Sequence, residues 1–318
     1  MSAAGSPGRV WAAGAVAAGI DLGGTKIEAQ VFDADWRVLD RRRVATPADY
    51  PGLVAAMAEQ IGWLEGLTNR ALPVGISAAG LVNPATGLAL TANLAATGQP
   101  FPADIAAAAG RAVTYVNDCR ALTLSEAVFG AARGMSPVVG LILGTGIGGG
   151  VAVNGKLLAG KADVGGEFGH FGLAASVVAQ YGLPVLRCGC GRMGCTETLI
   201  AGPGMGRIAL ALTGNALTPP QIAAARHQPG LRQVWQVWLE LLAEMVMALS
   251  LVIDPDCVVL GGGLSKIDGL TEALEPVLRR AQLPGFAIPR LLVAEGGDAS
   301  GARGAAYAAL QSAGGRDV

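Results

Sequence analysis

The chain has 318 residues, of which 52% are hydrophobic and 15% charged, and its mean hydropathy is +0.46. This length and composition support a full buried core and exclude a disordered chain, and the net charge of −1 offers no basic surplus for nucleic acid or an anionic membrane surface. We therefore expect no nucleic-acid partner and no membrane partner. Glycine is the unusual component, with 48 residues, which is about twice its ordinary usage.

The first residues carry no pattern of regular structure. Residues 1–14 are rich in Ala and Gly and resemble a signal peptide only weakly, so we expect a flexible extension. No apolar run reaches the length of about 18 residues that a membrane span needs. The longest, Met245–Ile253, stops at Asp254 and Pro255. The sequence thus predicts a soluble, cytoplasmic protein.

An internal repeat indicates the architecture. The segments that begin at Val16 and at Val138 each consist of an apolar run, a Gly/Thr turn and a second extended run. Leu22 aligns with Leu143, an offset of 121 residues. The simplest explanation is two homologous lobes that each open with a β-meander.

Helix and strand signals alternate along the rest of the chain. Helices are predicted at 51–67, 103–109, 119–132, 231–253, 264–280 and 301–312, and strands at 73–77, 113–116 and 257–260. Pro255 blocks continuation of the long helix, and Ser300 is a candidate N-cap of the last one. This alternation is typical of an α/β fold.

The predicted lobes follow from these elements. The N-terminal lobe spans residues 15–133 and is completed by a C-terminal helix at 300–313. The C-terminal lobe spans residues 134–299 and carries an insertion at 165–200. We expect a cleft between the two lobes.

Three glycine-rich segments are candidates for phosphate binding. Their residues are Asp21, Gly23, Gly24, Thr25 and Lys26, then Gly144, Thr145, Gly146, Gly148 and Gly149, and finally Gly262 and Gly263. Backbone N–H groups in such turns can surround phosphate oxygens, and Asp21 would then lie near a magnesium ion. A plain hairpin turn is the alternative for the first segment, and tight packing of a strand on a helix for the third. Two such turns at homologous positions favour a nucleotide site.

Asn117 and Asp118 lie where the strand at 113–116 is predicted to become a helix. Asp118 can be read as the N-cap of that helix. A carboxylate at the carboxyl end of a strand is also well placed to act as a general base, and the helix N-terminus would keep it ionised at neutral pH. Both interpretations stay open at this stage.

A compact set of metal-ligand residues is the strongest local signal. Its members are His170, Cys188, Cys190 and Cys195. Three cysteines and one histidine supply a closed tetrahedral site for structural Zn²⁺, with three free thiols as the alternative. Because the second ring nitrogen of a zinc-bound histidine needs a partner, His170 could also bind a substrate hydroxyl. Glu167 and Glu197 flank the set and are placed to accept hydrogen bonds from vicinal hydroxyls.

Taken together, these motifs resemble those of the ROK family of sugar kinases, within the actin/hexokinase/Hsp70 superfamily. The resemblance runs from about Gly19 to Ala309 and depends on the joint presence of the first two glycine segments, Asn117-Asp118, Glu167-x-Gly-His170 and the cysteine motif. It implies a two-lobed, ribonuclease H-like fold with a central cleft. It also implies ATP with Mg²⁺, structural Zn²⁺ and a homodimer.

The resemblance further implies the roles of individual residues. Asp118 would take the proton from the 6-hydroxyl of the sugar, which then attacks the γ-phosphate of ATP. The pyranose hydroxyls would be held by Asn93, Asn117, Glu167, His170 and Glu197. The amino-acid sequences of several segments are most similar to those of bacterial N-acetylglucosamine kinases, so the expected product is N-acetylglucosamine 6-phosphate. A fructokinase, glucokinase or N-acetylmannosamine kinase is the alternative.

A remote alternative is a non-catalytic, sugar-sensing regulator of the same family. Such regulators carry a helix-turn-helix domain ahead of the first glycine segment, and only 20 residues precede Asp21 here. One departure from the family pattern affects catalysis more directly. Cys119 and Arg120 follow Asp118, where the family usually has Ala and Asn. A bulky cation at this place could contact phosphate or alter the choice of sugar.

Overall fold

The computed structural model describes residues 14–68 and 71–314. These residues form two compact units. Unit 1 contains the described residues up to Ser125, the segment Gly160–Asp163 and the described residues from Asp298 onward, and unit 2 contains Glu126–Ala159 and Val164–Gly297. The division falls at Ser125, inside a helix, whereas the sequence placed it at residue 133. Residues 1–13 of the predicted extension lie outside the described residues.

In the part of the chain that the structure describes, seven strands lie in unit 1 and five in unit 2. They are β1 (Ala15–Leu22), β2 (Lys26–Asp33), β3 (Val38–Ala45), β4 (Val74–Ala78), β5 (Leu81–Val82), β6 (Ala89–Leu90), β7 (Thr114–Asn117), β8 (Val138–Leu143), β9 (Ile147–Val153), β10 (Lys156–Leu157), β11 (Cys257–Gly261) and β12 (Arg290–Val293).

The helices follow the alternation that the sequence predicts. They are α1 (Tyr50–Thr68), α2 (Phe101–Ala109), α3 (Asp118–Phe129), α4 (Ala175–Tyr181), α5 (Glu197–Ile200), α6 (Gly202–Thr213), α7 (Pro219–Ala225), α8 (Leu231–Ile253), α9 (Leu270–Ala281) and α10 (Ser300–Gly314). Single 3₁₀ turns lie at Phe168–His170, Leu264–Lys266 and Gly297–Ala299.

The two large sheets share one topology. The strand order is β3-β2-β1-β4-β7 in unit 1 and β10-β9-β8-β11-β12 in unit 2. In each sheet a three-stranded antiparallel meander is extended by two strands parallel to its first strand. The repeat detected in the sequence therefore covers the whole sheet as well as its first hairpin.

Two predicted helices differ from the observed ones. The helix predicted at 264–280 is a 3₁₀ turn followed by α9, because the extended backbone of Ile267 ends the turn and Gly269, with a φ of +72°, precedes α9 as its N-cap. Ser300 was expected to cap the last helix from outside, but it is the first residue of α10 and is buried. A 3₁₀ turn leads directly into α10, so the helix needs no separate capping residue there.

The core of unit 1 lies between its sheet and helices α1 and α2. Ile20 and Ile76 of the sheet pack in one cluster with Met57, Ile61 and Phe101 of the helices, and all five are fully buried. The opposite face of the sheet is covered by α10. The sheet is thus apolar on both faces, as parallel strands in α/β folds usually are.

Helix α8 forms the centre of the core of unit 2. Its Trp238 is fully buried and donates a hydrogen bond from Nε1 to the carbonyl oxygen of Ile200 at 2.8 Å. By length and composition alone α8 could cross a membrane, but 56% of its most apolar window is buried inside the protein. Burial of this kind is typical of the core helix of a globular unit.

Glycines permit α10 to lie directly on backbone atoms of unit 1. A Cβ added at Gly19 would lie 1.9 Å from the carbonyl oxygen of Ala302, and one at Gly75 would lie 1.9 Å from that of Ala305. A Cβ at Gly304 would lie 1.8 Å from the carbonyl oxygen of Ala121 in α3. These distances are incompatible with any side chain, so part of the glycine content is explained by helix packing.

Two glycines in helices of unit 1 give a matched test of this packing. Gly304→Ala should lower the free energy of unfolding by about 1–3 kcal/mol, because the backbones of α10 and α3 must separate. Gly62→Ala, in α1, should raise it by about 0.5–1 kcal/mol, because its added Cβ meets no atom within 4 Å. Urea unfolding of both variants measures the difference, and an unchanged midpoint for Gly304→Ala would contradict the close packing.

Candidate functional site

The acid of the first glycine segment lies at the end of β1. The Asp21 carboxylate accepts a hydrogen bond from Ser77 Oγ at 3.0 Å. A Cβ added at Gly301 would lie 2.4 Å from Asp21 Oδ1, so the start of α10 also closes around this carboxylate. Burial raises the pKa of Asp21 to about 6 despite the hydrogen bond from Ser77. A carboxylate held this way is ready to be neutralised by a cation.

The turn after β1 is shaped by a neighbouring loop. Gly23 donates its backbone N–H to the carbonyl oxygen of Lys26 at 3.0 Å, and Gly24 and Thr25 are exposed at its tip. A Cβ at Gly24 would lie 3.1 Å from both Asn93 Cβ and the carbonyl oxygen of Asn93. The absence of a side chain at Gly24 therefore brings the predicted sugar-binding Asn93 against the predicted phosphate-binding turn.

The sequence left open whether Asp118 caps α3 or acts as a general base, and the structure separates Asn117 from Asp118 in this respect. The Asn117 side chain caps α3, since its Oδ1 accepts the backbone N–H groups of Cys119 at 3.0 Å and of Arg120 at 3.2 Å. Its Nδ2 donates to the carbonyl oxygen of Gly80 and to Asp118 Oδ1. The interpretation of Asp118 as the principal cap is therefore corrected in favour of Asn117.

The environment of Asp118 raises the proton affinity of its carboxylate. Burial raises the pKa of Asp118, and the hydrogen bonds from Cys119 and Asn117 oppose that shift without cancelling it. The sequence predicted that the helix N-terminus keeps this carboxyl ionised at neutral pH, and that stays a prediction. The raised pKa makes the carboxylate a stronger base than an exposed aspartate, which suits proton abstraction.

The second glycine segment is a turn only in its first part. Gly144, Thr145 and Gly146 form the turn, and Gly144 donates its backbone N–H to the carbonyl oxygen of Gly146 at 3.0 Å. Gly148 and Gly149 lie inside β9, and Gly149 is buried. A Cβ at Gly149 would meet the Phe168 ring at 2.6 Å, so this glycine serves packing.

Glu197 connects the second turn to the cysteine motif. Ile147 donates its backbone N–H to Glu197 Oε2 at 2.9 Å, just after the turn. Glu197 Oε1 lies 3.9 Å from Cys188 Sγ. The carboxylate predicted to bind a substrate hydroxyl is thus engaged with backbone and thiol groups of unit 2.

A large cavity in unit 2 opens beside the second turn. Its volume is about 870 Å³, within the usual range for small-molecule sites. The lining residues come from the second turn, the start of α6, helix α7 and the segment after β11: Gly144, Thr145, Gly202, Pro203, Gly206, Leu217, Thr218, Pro219, Pro220, Ala223, Ala224, Arg226, Gly263, Leu264, Lys266, Ile267 and Asp268. Most of this wall is apolar, as a flat aromatic ligand group requires.

The sequence predicted only part of this cavity. Gly263 lines it, whereas Gly262, with a φ of +83°, packs against the carbonyl oxygen of Leu143 and is structural. Arg226 and Lys266 were not predicted. The Arg226 guanidinium lies 5.7 Å from the centre of the Trp235 ring and donates to the carbonyl oxygen of Asp268 at 3.2 Å. The Thr218-Pro219-Pro220 helix start was the sequence signal for this wall.

The four predicted metal ligands converge in unit 2. The ligand atoms of His170, Cys188, Cys190 and Cys195 all lie within 4.8 Å of one another. The Sγ atoms of Cys190 and Cys195 are 3.6 Å apart, and His170 Nδ1 is 3.7 Å from Cys188 Sγ. Ligands of a tetrahedral zinc–thiolate site are separated by about 3.8 Å, so the spacing fits this ion.

Burial differs among these thiols. Cys188 and Cys195 are buried and Cys190 is exposed. Burial raises the pKa of the Cys195 thiol to about 12, and a backbone hydrogen bond from Arg192 lowers the pKa of Cys190. A bound cation would offset the cost of ionising the buried thiol.

His170 has a second neighbour on its other side. Its Nε2 lies 3.6 Å from Glu167 Oε2, while Nδ1 faces Cys188. The predicted arrangement, with one ring nitrogen for the metal and the other free to face a polar group, is compatible with this geometry. Glu167 and His170 are both half-buried, with side-chain exposures of 30% and 31%.

The repeated sheets and the duplicated turns define an α/β phosphotransferase scaffold. The sequence profile of the ROK family matches residues 17–312, and the chain belongs to the ROK family. Its fold is the two-lobed α/β fold of the actin/hexokinase type.

Individual relatives are similar over most of the chain. The N-acetylgalactosamine kinase AgaK of Shewanella sp. (strain ANA-3) is 40% identical, over 91% of this chain and 94% of that protein. The N-acetyl-D-glucosamine kinase of Escherichia coli O139:H28 is 38% identical, over 91% and 97%. The crystal structure of a ROK hexokinase from Thermus thermophilus is similar with a TM-score of 0.83 and 32% identity, over 95% of this chain and 99% of that one.

The raised pKa of Asp21 predicts that this residue lowers the stability of the folded protein in a pH-dependent way. Folding raises this pKa from 3.8 to about 6, so stability falls as the pH rises through that interval. In protein free of metal and nucleotide, Asp21→Asn should therefore gain about 2–3 kcal/mol relative to the wild type between about pH 4 and pH 7. Urea unfolding over this range measures the gain, and Asp35→Asn, at an exposed acid, is the control. Parallel stability curves for Asp21→Asn and the wild type would contradict the burial of an ionisable carboxyl.

Proposed function

We propose that the chain transfers the γ-phosphoryl group of ATP to the 6-hydroxyl of an N-acetylated amino sugar. The observation that carries this proposal is the identity of 38–40% to proteins named amino-sugar kinases over 91% of the chain. The buried acid at the strand–helix junction and the cavity beside the second glycine turn supply the groups that such a reaction needs.

Asp118 acts as the general base. Its raised pKa makes the carboxylate more basic, and the hydrogen bonds from Asn117 and Cys119 to Oδ1 fix its orientation. It takes the proton of the sugar hydroxyl as that oxygen attacks the γ-phosphorus. Phosphoryl transfer depends mainly on alignment and charge neutralisation, so a fixed base contributes orientation as well as proton affinity.

The nucleotide binds in the cavity of unit 2. The apolar walls from α7 and the segment after β11 accept the base, and the backbone of Gly144 and Thr145 meets phosphate oxygens. The first turn, with Gly23, Gly24, Thr25 and Lys26, meets phosphate oxygens, and Asp21 at its start provides an oxygen ligand for a divalent ion. Mg²⁺, when bound, neutralises negative charge on the phosphate oxygens.

The acceptor residues divide into those that bind directly and those that hold others in place. Asn117 Oδ1 accepts hydrogen bonds from the start of α3, and Glu197 Oε2 accepts one from Ile147. Both therefore act mainly as positioning residues. Asn93, Glu167 and His170 have exposed or half-exposed side chains and bind the sugar hydroxyls.

N-acetylglucosamine is the proposed acceptor and N-acetylgalactosamine the second candidate. The amino-acid sequences of the motifs favour N-acetylglucosamine. The 40% identity to a protein named N-acetylgalactosamine kinase favours N-acetylgalactosamine. The two sugars differ only in the configuration at C4, so a single hydrogen bond to that hydroxyl decides between them. The homodimer and the cytoplasmic location expected from the sequence stay predictions.

We also propose that His170, Cys188, Cys190 and Cys195 bind one structural Zn²⁺. Four ligands within 4.8 Å leave no open coordination position for water. The ion stabilises the segment between Glu167 and Glu197 and takes no part in proton transfer. Because Glu197 also receives the N–H of Ile147, the metal site supports the second turn through this carboxylate.

An acceptor panel with an isosteric variant tests the function. Sugar-dependent release of ADP should be fastest with N-acetylglucosamine or N-acetylgalactosamine, and slower with N-acetylmannosamine, glucose and fructose. Asp118→Asn should lower kcat by a factor of about 10²–10⁴, because the amide cannot accept the proton. A coupled ADP assay measures both. Asp35→Asn, at an exposed acid, should leave the rate unchanged, and wild-type turnover in Asp118→Asn would overturn the assignment of the base.

Removal of the metal tests the zinc proposal separately. Purified protein should contain about one Zn²⁺ per chain by elemental analysis, and Cys195→Ser should lose it together with several kcal/mol of stability. Cys257→Ser, at a buried thiol of β11 outside the cluster, is the control and should keep the metal. Protein that contains no zinc, in which all three thiols of the cluster are titratable and thermal unfolding is unchanged by a chelator, would contradict the proposal.

A further inference from the structure

Arg120 is the second of the two residues after the proposed base that depart from the ROK pattern. It lies in the first turn of α3, where its backbone N–H donates to Asn117 Oδ1 at 3.2 Å. Its side chain is only 13% exposed. A charged side chain buried this far needs a partner, because desolvation of an unpaired charge is costly.

One partner of Arg120 is Asp163. Arg120 Nη1 donates to Asp163 Oδ1 at 3.0 Å. Asp163 ends the short segment Gly160–Asp163, which belongs to unit 1 although the chain on both sides of it belongs to unit 2. The ion pair therefore joins α3 to a segment that is distant in sequence but part of the same compact unit.

The surroundings of Asp163 show why one pair can fix this segment. Residues 158–162 and 164–165 are all exposed, and Asp163 alone between them is half-buried. Its φ of +52° is unusual for a residue other than glycine and turns the backbone so that the side chain meets α3. Glu167, a proposed sugar ligand, follows four residues later.

We propose that Arg120 is a positioning residue for the sugar, and that its ion pair with Asp163 anchors segment 158–165 to the first turn of α3, the helix that begins at the proposed base. The ion pair fixes the path of the backbone that leads to Glu167. The position of the Glu167 side chain, and with it the affinity for the sugar, depends on that path. This inference rests on the proposed kinase function. Of the two roles that the sequence left open for this cation, the pairing with Asp163 favours the effect on the sugar, and the kinetic experiment below separates this role from a phosphate contact.

Proteolysis tests the anchor without reference to activity. Lys161 is exposed within the segment and offers a trypsin site. In Arg120→Gln, cleavage after Lys161 should be about three- to fivefold faster, since a partly buried ion pair no longer holds the segment. Arg120→Lys, which keeps the charge, should restore at least part of the protection. Mass spectrometry of the fragments identifies the cleavage site.

A second ion pair in unit 1 provides the matched control. Arg111 Nη1 lies 2.9 Å from Glu65 Oε1, with side-chain exposures of 19% and 41%, against 13% and 49% for Arg120 and Asp163. Glu65→Gln should leave cleavage after Lys161 unchanged. Equal cleavage rates in the wild type and Arg120→Gln would overturn the anchor, as would equal acceleration in Glu65→Gln.

Steady-state kinetics test the consequence for the sugar. Arg120→Gln should raise the KM for the sugar about three- to fivefold, with kcat and the KM for ATP changed less than twofold. A fall in kcat or a rise in the KM for ATP, with an unchanged KM for the sugar, would overturn the positioning role and indicate a phosphate contact. If the wild type phosphorylates none of the sugars, the proposed function fails, and the proteolysis still decides whether the anchor exists.

Discussion

Direct contact between backbones, possible only where a side chain is missing, is the constraint on which this structure depends. Helix α10 can cover the sheet of unit 1 because Gly19 and Gly75 leave its carbonyl oxygens room, and Gly304 lets it touch α3. In unit 2, Gly149 and Gly166 leave room for the segment that leads to His170 to pack directly against β9. The close approach puts functional groups at the ends of strands within reach of neighbouring helices. The glycine content is therefore first a packing requirement and only secondarily a property of ligand-binding turns.

Two partly buried carboxyl groups in unit 1 show what this packing costs in stability. Asp21 and Asp118 both have raised pKa values because they are removed from water, and the charge of Asp118 contributes to the shift of Asp21. Apolar groups at these positions would make the folded protein more stable. Retention of both acids is understandable if one receives a cation and the other a proton during phosphoryl transfer.

The sequence predicted the features that depend on local pattern. The meanders, the long helix α8 and the convergence of His170 with three cysteines followed from periodicity, proline and ligand spacing. It could not separate the roles of Asn117 and Asp118, because either side chain can cap a helix. The cavity wall around Arg226 and the ion pair of Arg120 with Asp163 were also beyond prediction, since both join segments that only the tertiary fold brings together.

The duplicated hairpins have the same topology but have not kept the same chemistry. With Leu22 aligned to Leu143, the position of Asp21 is taken by Ile142, and the second turn is one residue shorter, so that Lys26 has no counterpart. Every charged group of this repeated element therefore resides in one copy. In the second copy the turn can interact only through its backbone groups and the hydroxyl of Thr145.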